Sequence, residues 1–162
     1  MSGWKSYIDN KLLNSVDEAG HNYTNCLEGG AIIGLDGGLW ACSDDFVIGK
    51  RAEQVDGKII TVDEFKNLNY GMKHNGDCTL PGGYWLNAEK FQMINFDEAE
   101  GKMYLKKSGG GAIVAKTEKA YIIVVWSASK VCKKDGKERP QNQGDASTAV
   151  EELAKFLKSQ NL

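Results

Sequence analysis

Five short apolar segments lie close together between Gly82 and Ser127, and this spacing constrains the fold more than any other feature of the sequence. Gly, Asn, Asp and Glu residues separate the segments, as is typical of turns. Parallel strands need crossover connections of a dozen or more residues, so strands this close in sequence must pair antiparallel. The region therefore predicts an antiparallel meander. Its strands are Tyr84–Leu86, Phe91–Phe96, Met103–Lys107, Ala112–Lys116 and Tyr121–Ser127.

A tight turn joins two further apolar segments, Ala31–Leu35 and Leu39–Cys42. The residues between them are Asp36, Gly37 and Gly38. Asp and Gly readily adopt the positive φ angles that a tight turn between antiparallel strands requires. These two segments are therefore predicted to form a β-hairpin.

Two segments repeat apolar residues at helical spacing ahead of the meander. The first helix is predicted at residues 3–13 and the second at 62–73, where Thr61 and Glu64 match the capping-box pattern. A single apolar stripe per helix indicates that each buries one face and leaves the other in solvent. The stripes are Trp4, Ile8 and Leu12 in the first helix, and Phe65, Leu68 and Met72 in the second.

A third helix is predicted at residues 147–160, with Asp145 or Ser147 as its N-cap. Its apolar stripe comprises Val150, Leu153, Ala154 and Leu157. Two polar segments, 14–29 and 129–144, are predicted to be loops. The order of helix, hairpin, helix, meander and helix predicts an α+β fold, in which helices cover a single central antiparallel sheet.

The composition predicts one domain spanning residues 1–162 and argues against several classes of function. A formal charge of −2 gives no basis for binding nucleic acid. The N-terminus lacks the apolar run of a signal peptide. The longest apolar run, Ala120–Trp126, is too short to cross a bilayer. We therefore expect a cytoplasmic protein.

Neither a phosphate-binding glycine loop nor a nucleophile motif occurs in the sequence. His21 and His74 have no visible nucleophile as a partner and are predicted to be surface residues. The cysteines lack the paired spacing of a zinc site. They are Cys26, Cys42, Cys78 and Cys132. We expect a protein that is not an enzyme and that needs no cofactor and no metal.

Four stretches of the sequence carry a resemblance to a known family. They are the opening Trp4–Asp9, the hairpin Ala31–Ala41, the glycine turn and its flanking strands from Lys106 to Val125, and the last helix from Gly144 to Leu157. Together, in this order, they resemble profilins. The resemblance implies that the first and last helices lie side by side on one face of the sheet, with the shorter helix on the other.

The resemblance also implies a surface for proline-rich ligands, here called the aromatic patch. It consists of Trp4, Tyr7, Trp40, Phe156 and Leu162. Flat aromatic rings form slots for the pyrrolidine rings of a polyproline II helix. Helical periodicity places Phe156 off the apolar stripe of the last helix, which favours a binding role for its ring.

Some features of the aromatic patch leave an alternative open. Trp4 and Trp40 fit core packing as well as ligand binding. Phe156 and Leu162 occupy positions where profilins commonly have residues that can form hydrogen bonds. We therefore expect modest affinity for proline-rich ligands, resting mainly on Trp4, Tyr7 and Trp40.

The resemblance further implies an actin-binding surface. The alternative for Lys106 and Lys107 is that they are solvated residues protecting a strand edge. The pair of glutamates on the last helix is unusually acidic for this surface. The matching positions are Lys106, Lys107, Gly144, Ser147, Thr148, Glu151 and Glu152.

The expected function is that of a monomeric protein that binds actin monomers and regulates actin polymerisation. Its other expected partners are proline-rich proteins such as formins. Phosphoinositide lipids are a further expected partner, and the alternative is that the basic residues are simply solvated, as runs of basic residues usually are. The basic residues concerned are Lys130, Lys133, Lys134, Lys137, Arg139, Lys155 and Lys158. The alternative is a noncatalytic longin-like or roadblock-like adaptor domain in trafficking or signalling, which would not need aromatic residues joining the two termini.

Overall fold

The computed structural model describes residues 2–44, 46–77, 80 and 83–162. Helix α1 spans Ser2–Tyr7 and continues as a π-helical turn over Ile8–Leu12. Helix α2 spans Glu64–Lys73 and helix α3 spans Gln143–Ser159. The strands are β1 Asn14–Val16, β2 Asn22–Thr24, β3 Gly29–Gly34, β4 Leu39–Cys42, β5 Lys50–Val55, β6 Lys58–Asp63, β7 Tyr84–Leu86, β8 Glu89–Asp97, β9 Lys102–Lys107, β10 Gly110–Lys116, β11 Ala120–Ser127, β12 Val131–Lys134 and β13 Lys137–Pro140.

A seven-stranded antiparallel sheet forms the centre of the fold, in the order β4-β3-β11-β10-β9-β8-β7. The five predicted meander strands and the predicted hairpin all belong to this sheet, which confirms both predictions. Strand β3 is buried along its whole length because it pairs with β4 and β11 and is covered on both faces.

Helices cover the two faces of this sheet, and the alternation of side chains along β11 shows how. Ile122 and Val124 pack with the end of α1 and with α3 in one buried cluster. Tyr121 and Ile123 point to the opposite face, where they pack with Leu68 of α2. The predicted fold class is therefore confirmed, with the terminal helices on one face and the shorter helix on the other.

The two segments predicted to be loops, 14–29 and 129–144, instead pair with each other. They form a second, four-stranded antiparallel sheet in the order β1-β2-β12-β13. The loop prediction was wrong because these strands bury few side chains, chiefly Tyr23 and Cys132, so their sequence is almost wholly polar. The turn at Asp135-Gly136 has positive φ angles of 51° and 80°.

Both predicted helix caps were wrong as well. Helix α2 begins at Glu64 because the preceding residues form the β5–β6 hairpin, so Thr61 lies within a strand. Its N-cap is Asp63, whose side chain accepts a hydrogen bond from the backbone N of Lys66 at 3.1 Å.

Helix α3 starts four residues earlier than predicted. Its N-cap is Asn142, whose Oδ1 accepts from the backbone N of Asp145 at 2.9 Å. Asp145 and Ser147, the predicted caps, therefore lie inside the helix. None of the helices in the described part of the chain is long and apolar enough to span a membrane.

Candidate functional site

Helix α1 is held across the end of β4 by the Lys5 side chain. Its ammonium group donates hydrogen bonds to the carbonyl oxygen of Cys42 and to Oδ1 of Asp44, both at 3.2 Å. Buried Ile8 and Leu12 anchor the other end of the same segment in the core. This arrangement fixes the residues of α1 relative to the strand that carries Trp40.

The first and last helices meet through a pair of aromatic rings. The ring centroids of Tyr7 and Phe156 lie 5.3 Å apart, and the ring planes are inclined at 58°. This tilted geometry is one that aromatic pairs prefer. Both rings are partly buried against the core beneath the terminal helices, so each keeps some exposed surface. Phe156 lies off the fully buried stripe of α3, as predicted.

Trp40 and Leu162 pack against the same core cluster as the Tyr7–Phe156 pair. The indole of Trp40 lies close to Gly34, where a Cβ atom would be 3.0 Å from its Nε1. The carbonyl oxygen of Leu162 accepts a hydrogen bond from the backbone N of Glu118 at 3.1 Å, which ties down the chain end. Trp4 belongs to α1, but its side chain lies outside the described residues.

Two of the actin-binding candidates on α3 line a groove between the start of this helix and strands β8 and β9. The groove contains Gly144 and Ser147. Thr148 is half-buried and donates a hydrogen bond from Oγ1 to the carbonyl oxygen of Gly144 at 3.1 Å. The other residues that line the groove are Ile94, Asn95, Asp97, Tyr104 and Gln143.

The two candidate lysines of β9 differ in their surroundings. Lys106 is exposed. Lys107 is half-buried, forms an ion pair with Glu89, lies 3.6 Å from Oε2 of Glu28 and sits over the ring of Phe91. Because intramolecular partners hold the Lys107 ammonium, Lys106 is the lysine more available to a partner.

The two candidate glutamates of α3 also have different roles within the fold. Oε1 of Glu151 accepts a hydrogen bond at 2.8 Å from Nζ of Lys102, whose side chain is only 10% exposed. Glu152 instead lies 3.6 Å from Nζ of Lys155, which is 57% exposed. Glu151 therefore partners a largely buried cation, while Glu152, itself 26% exposed, partners an exposed one.

Replacing Glu151 by alanine is expected to lower the free energy of unfolding by about 1–3 kcal/mol, since the largely buried Lys102 ammonium would lose its partner. Glu152→Ala is the matched control and is expected to change it by less than about 0.5 kcal/mol. Urea titration followed by circular dichroism measures both. Equal effects of the two substitutions would show that the Lys102 pair does not stabilise the fold.

Sequence reasoning did not single out the exposed apolar residues of β8. Met93 and Ile94 of β8 are 36% and 47% exposed. Two adjacent apolar residues cannot both point to the same face of a regular strand, and this pair breaks the expected alternation. The β8–β9 register shifts between Met93 and Asn95. Ile94 lines the groove that also contains Gly144 and Ser147, whereas Met93 lies near Gly76, just after α2.

The basic run from Lys130 to Arg139 lies on the β12–β13 hairpin and not on a loop. Two of its cations have partners within the chain. Nζ of Lys134 lies 5.5 Å from the centre of the Tyr23 ring, and Arg139 forms an ion pair with Asp145.

Comparisons with known proteins agree with this architecture. A family model described as Profilin matches residues 2–162. Profilin of Tetrahymena pyriformis is 32% identical over 162 residues, which cover 98% of this chain and 97% of that protein. Acanthamoeba castellanii profilin IB superposes with a TM-score of 0.68 at 25% identity, covering 98% of this chain and 99% of that one. Mouse profilin IIa, solved in complex with a double repeat from the FH1 domain of mDia1, shares the fold with a TM-score of 0.54 at 20% identity, and 99% of each chain is covered. The chain therefore belongs to the profilin family.

Proposed function

We propose that this chain is a monomeric, cytoplasmic actin regulator that binds actin monomers and, through the aromatic patch, proline-rich segments. The observation that carries the proposal is the contact between the rings of Tyr7 and Phe156, which joins the first and last helices. Membership of the profilin family supports an actin-binding regulator and favours it over the adaptor-domain alternative.

The aromatic patch suits a polyproline II ligand for physical reasons. Such a helix has three residues per turn and no internal hydrogen bonds, so its pyrrolidine rings and carbonyl groups face outward. Partly exposed aromatic rings can receive the pyrrolidines, and a tyrosine hydroxyl or indole N–H can donate to the carbonyls. The mouse profilin IIa complex with an FH1 repeat supports this class of ligand, and formins are accordingly the proposed partners.

Titration with a proline decamer tests the aromatic patch directly. Because Trp40 is a partly buried member of the patch, ligand binding should change the intrinsic tryptophan emission. Unchanged emission, together with no heat of binding by calorimetry, at millimolar decamer would refute the polyproline proposal. Actin binding is judged separately, since it uses a different face.

Charge reversal at Lys106 tests the proposed actin surface. Lys106→Glu is expected to weaken actin-monomer binding about tenfold, because a single reversed charge at an interface costs on the order of 1.4 kcal/mol or more. Lys116→Glu is the matched control. Lys116 is also an exposed lysine, but it lies at the C-terminal end of β10, away from the end that pairs with Lys106. Delay of spontaneous nucleation in a pyrene-actin assay measures both variants.

The pyrene-actin assay also decides the broader proposal. The unsubstituted chain in several-fold excess over actin is expected to slow nucleation by sequestering monomers. No delay would favour a divergent profilin without actin binding. If both lysine variants lost activity equally, actin binding would reflect overall charge and not the proposed surface.

Phosphoinositide lipids are a separate proposed ligand, which the basic residues of the β12–β13 hairpin would bind. Lys134 and Arg139 have intramolecular partners, which leaves the exposed Lys130, Lys133 and Lys137 for a lipid headgroup. Co-sedimentation with phosphoinositide vesicles, compared with neutral vesicles, tests this separately.

A further inference from the structure

Three buried side chains that are far apart in sequence converge beside the start of α3. One ligand atom from each of Cys26, Cys132 and Asp145 lies within 4.8 Å of the other two. Sγ of Cys132 is 3.3 Å from Oδ2 of Asp145. Cys26 follows β2, Cys132 lies in β12, and Asp145 lies in the first turn of α3. The fold brings together two cysteines whose sequence spacing indicated no metal site.

Both thiols pack with Tyr23 in a small buried cluster, and each also lies next to oxygen atoms. Sγ of Cys26 lies 3.7 Å from the carbonyl oxygen of Thr24 and 3.9 Å from that of Lys133. Thiols are weak hydrogen-bond donors, so these groups satisfy one another poorly. Two sulfur atoms and a carboxylate oxygen directed at one another form a ligand set that suits a borderline-soft metal ion.

We propose that Cys26, Cys132 and Asp145 bind a divalent zinc-class ion. Two thiolates and one carboxylate carry three negative charges, and a divalent ion together with Arg139, which is paired with Asp145, carries three positive charges. The buried group is then neutral. A monovalent ion such as Cu(I) would leave one uncompensated negative charge in the interior, which is costly.

The distance between Cys132 and Asp145 is close to that of such a site, and the other two pairs of ligand atoms lie within 4.8 Å. Zinc–sulfur bonds of about 2.3 Å and zinc–oxygen bonds of about 2.0–2.2 Å place tetrahedral ligand atoms about 3.5–3.8 Å apart. The 3.3 Å between Cys132 and Asp145 lies near this range. The ion takes the place of the thiol hydrogens, and both protons leave to solvent. A water molecule or a backbone carbonyl oxygen completes the coordination.

Neighbouring donors already orient the carboxylate. Oδ2 of Asp145 accepts hydrogen bonds from Nε of Arg139 and Nδ2 of Asn142, both at 2.9 Å. Ligating carboxylates are commonly held by such partners. Burial would raise the pKa of Asp145, but hydrogen bonds from Arg139, Asn142 and Cys132 outweigh it and lower the pKa. Burial raises the pKa of both thiols.

An ion would enter from the edge of the second sheet. Strand β13 is the edge strand of that sheet, and all four of its residues are exposed. Its Arg139 covers the carboxylate with a side chain that is 42% exposed. A small outward movement of the β12–β13 hairpin would admit an ion, and the bound ion would then fasten this hairpin to α3.

Cobalt(II), a spectroscopic substitute for zinc, tests the site in the full-length chain after reduction and treatment with chelator. We expect one equivalent of Co²⁺ to produce a thiolate-to-cobalt charge-transfer band that one equivalent of Zn²⁺ abolishes. Zn²⁺ should also protect Cys26 and Cys132 from alkylation, as read by mass spectrometry. Cys26→Ser and Cys132→Ser should each lose the band, whereas the control Cys42→Ser should keep it.

The unsubstituted chain tests metal binding even if a serine variant fails to fold. One equivalent of Zn²⁺ should raise its melting temperature, because an ion that binds only the folded state stabilises it. Absence of the cobalt band and of any zinc-dependent rise in melting temperature would overturn the proposal. A band that persists in a folded Cys132→Ser variant would overturn it equally.

Discussion

Replacing Tyr7 by alanine is expected to weaken binding of a proline decamer by about 30-fold, equal to about 2 kcal/mol. The substitution removes a ring that the ligand would contact and also removes the support of Phe156, whose ring centroid lies 5.3 Å away. Loss of an aromatic pair typically costs about 0.5–1.5 kcal/mol beyond the lost contact area. Isothermal calorimetry with the decamer measures the effect.

Phe156→Ala should produce a loss of similar size, and the double variant should lose less than the sum because the two rings act together. Tyr70→Ala is the matched control, since Tyr70 is 41% exposed but lies on α2, across the central sheet. Tyr7→Phe separates the hydroxyl from the ring. If Tyr70→Ala weakened binding as much as Tyr7→Ala, the ligand would not bind at the aromatic patch.

The central sheet could be predicted because its signals are local. Apolar strands alternate with turns within a few residues of one another, and Asp36-Gly37 marks one hairpin. The same Asp-Gly signal occurs at Asp56-Gly57 and at Asp135-Gly136, which form the turns of the β5–β6 and β12–β13 hairpins. The strands of the β12–β13 hairpin are largely polar, and the adjacent Ile59 and Ile60 interrupt the alternation in β6, so periodicity gave no support to either turn signal.

The second sheet depends on pairing between residues that are distant in sequence. Thr24 pairs with Lys133, and Tyr23 pairs with Lys134. No local pattern encodes such a register, because only the fold brings β2 next to β12. The same reason explains why the convergence of Cys26 and Cys132 could not be predicted from the spacing of the cysteines.

The candidate site shows the same division between local and long-range information. Helical geometry alone placed Phe156 off the buried stripe of α3, and the structure agrees. The difference between Lys106 and Lys107 was not predictable, because it depends on whether Glu28 and Glu89 lie nearby. Their positions follow from the packing of separate strands, which a motif match does not describe.

Replacing Gly71 by alanine is expected to lower the free energy of unfolding by about 2–4 kcal/mol, although alanine favours helices. A Cβ atom at Gly71 would lie 2.0 Å from the hydroxyl oxygen of Tyr84, which is 1% exposed. That hydroxyl donates to the carbonyl oxygens of Gly76 and Asp77 at 2.8 and 2.9 Å. Both contacts share the single hydroxyl hydrogen, so displacing it would leave a buried hydroxyl without its acceptors, at a cost of about 2 kcal/mol, and strain the core by about 1–3 kcal/mol.

The higher helix propensity of alanine would stabilise α2 by only about 1 kcal/mol in Gly71→Ala. The clash with Tyr84 is larger, so the net effect is a lower free energy of unfolding. The melting temperature should fall by roughly 4–16 °C, as calorimetry would show. Gly49→Ala is the control, because a Cβ atom there meets nothing within 4 Å. In a Tyr84→Leu background the hydroxyl and ring are gone, so Gly71→Ala should become neutral or stabilising. An unchanged cost in that background would mean that Tyr84 is not what requires glycine where α2 packs against β7.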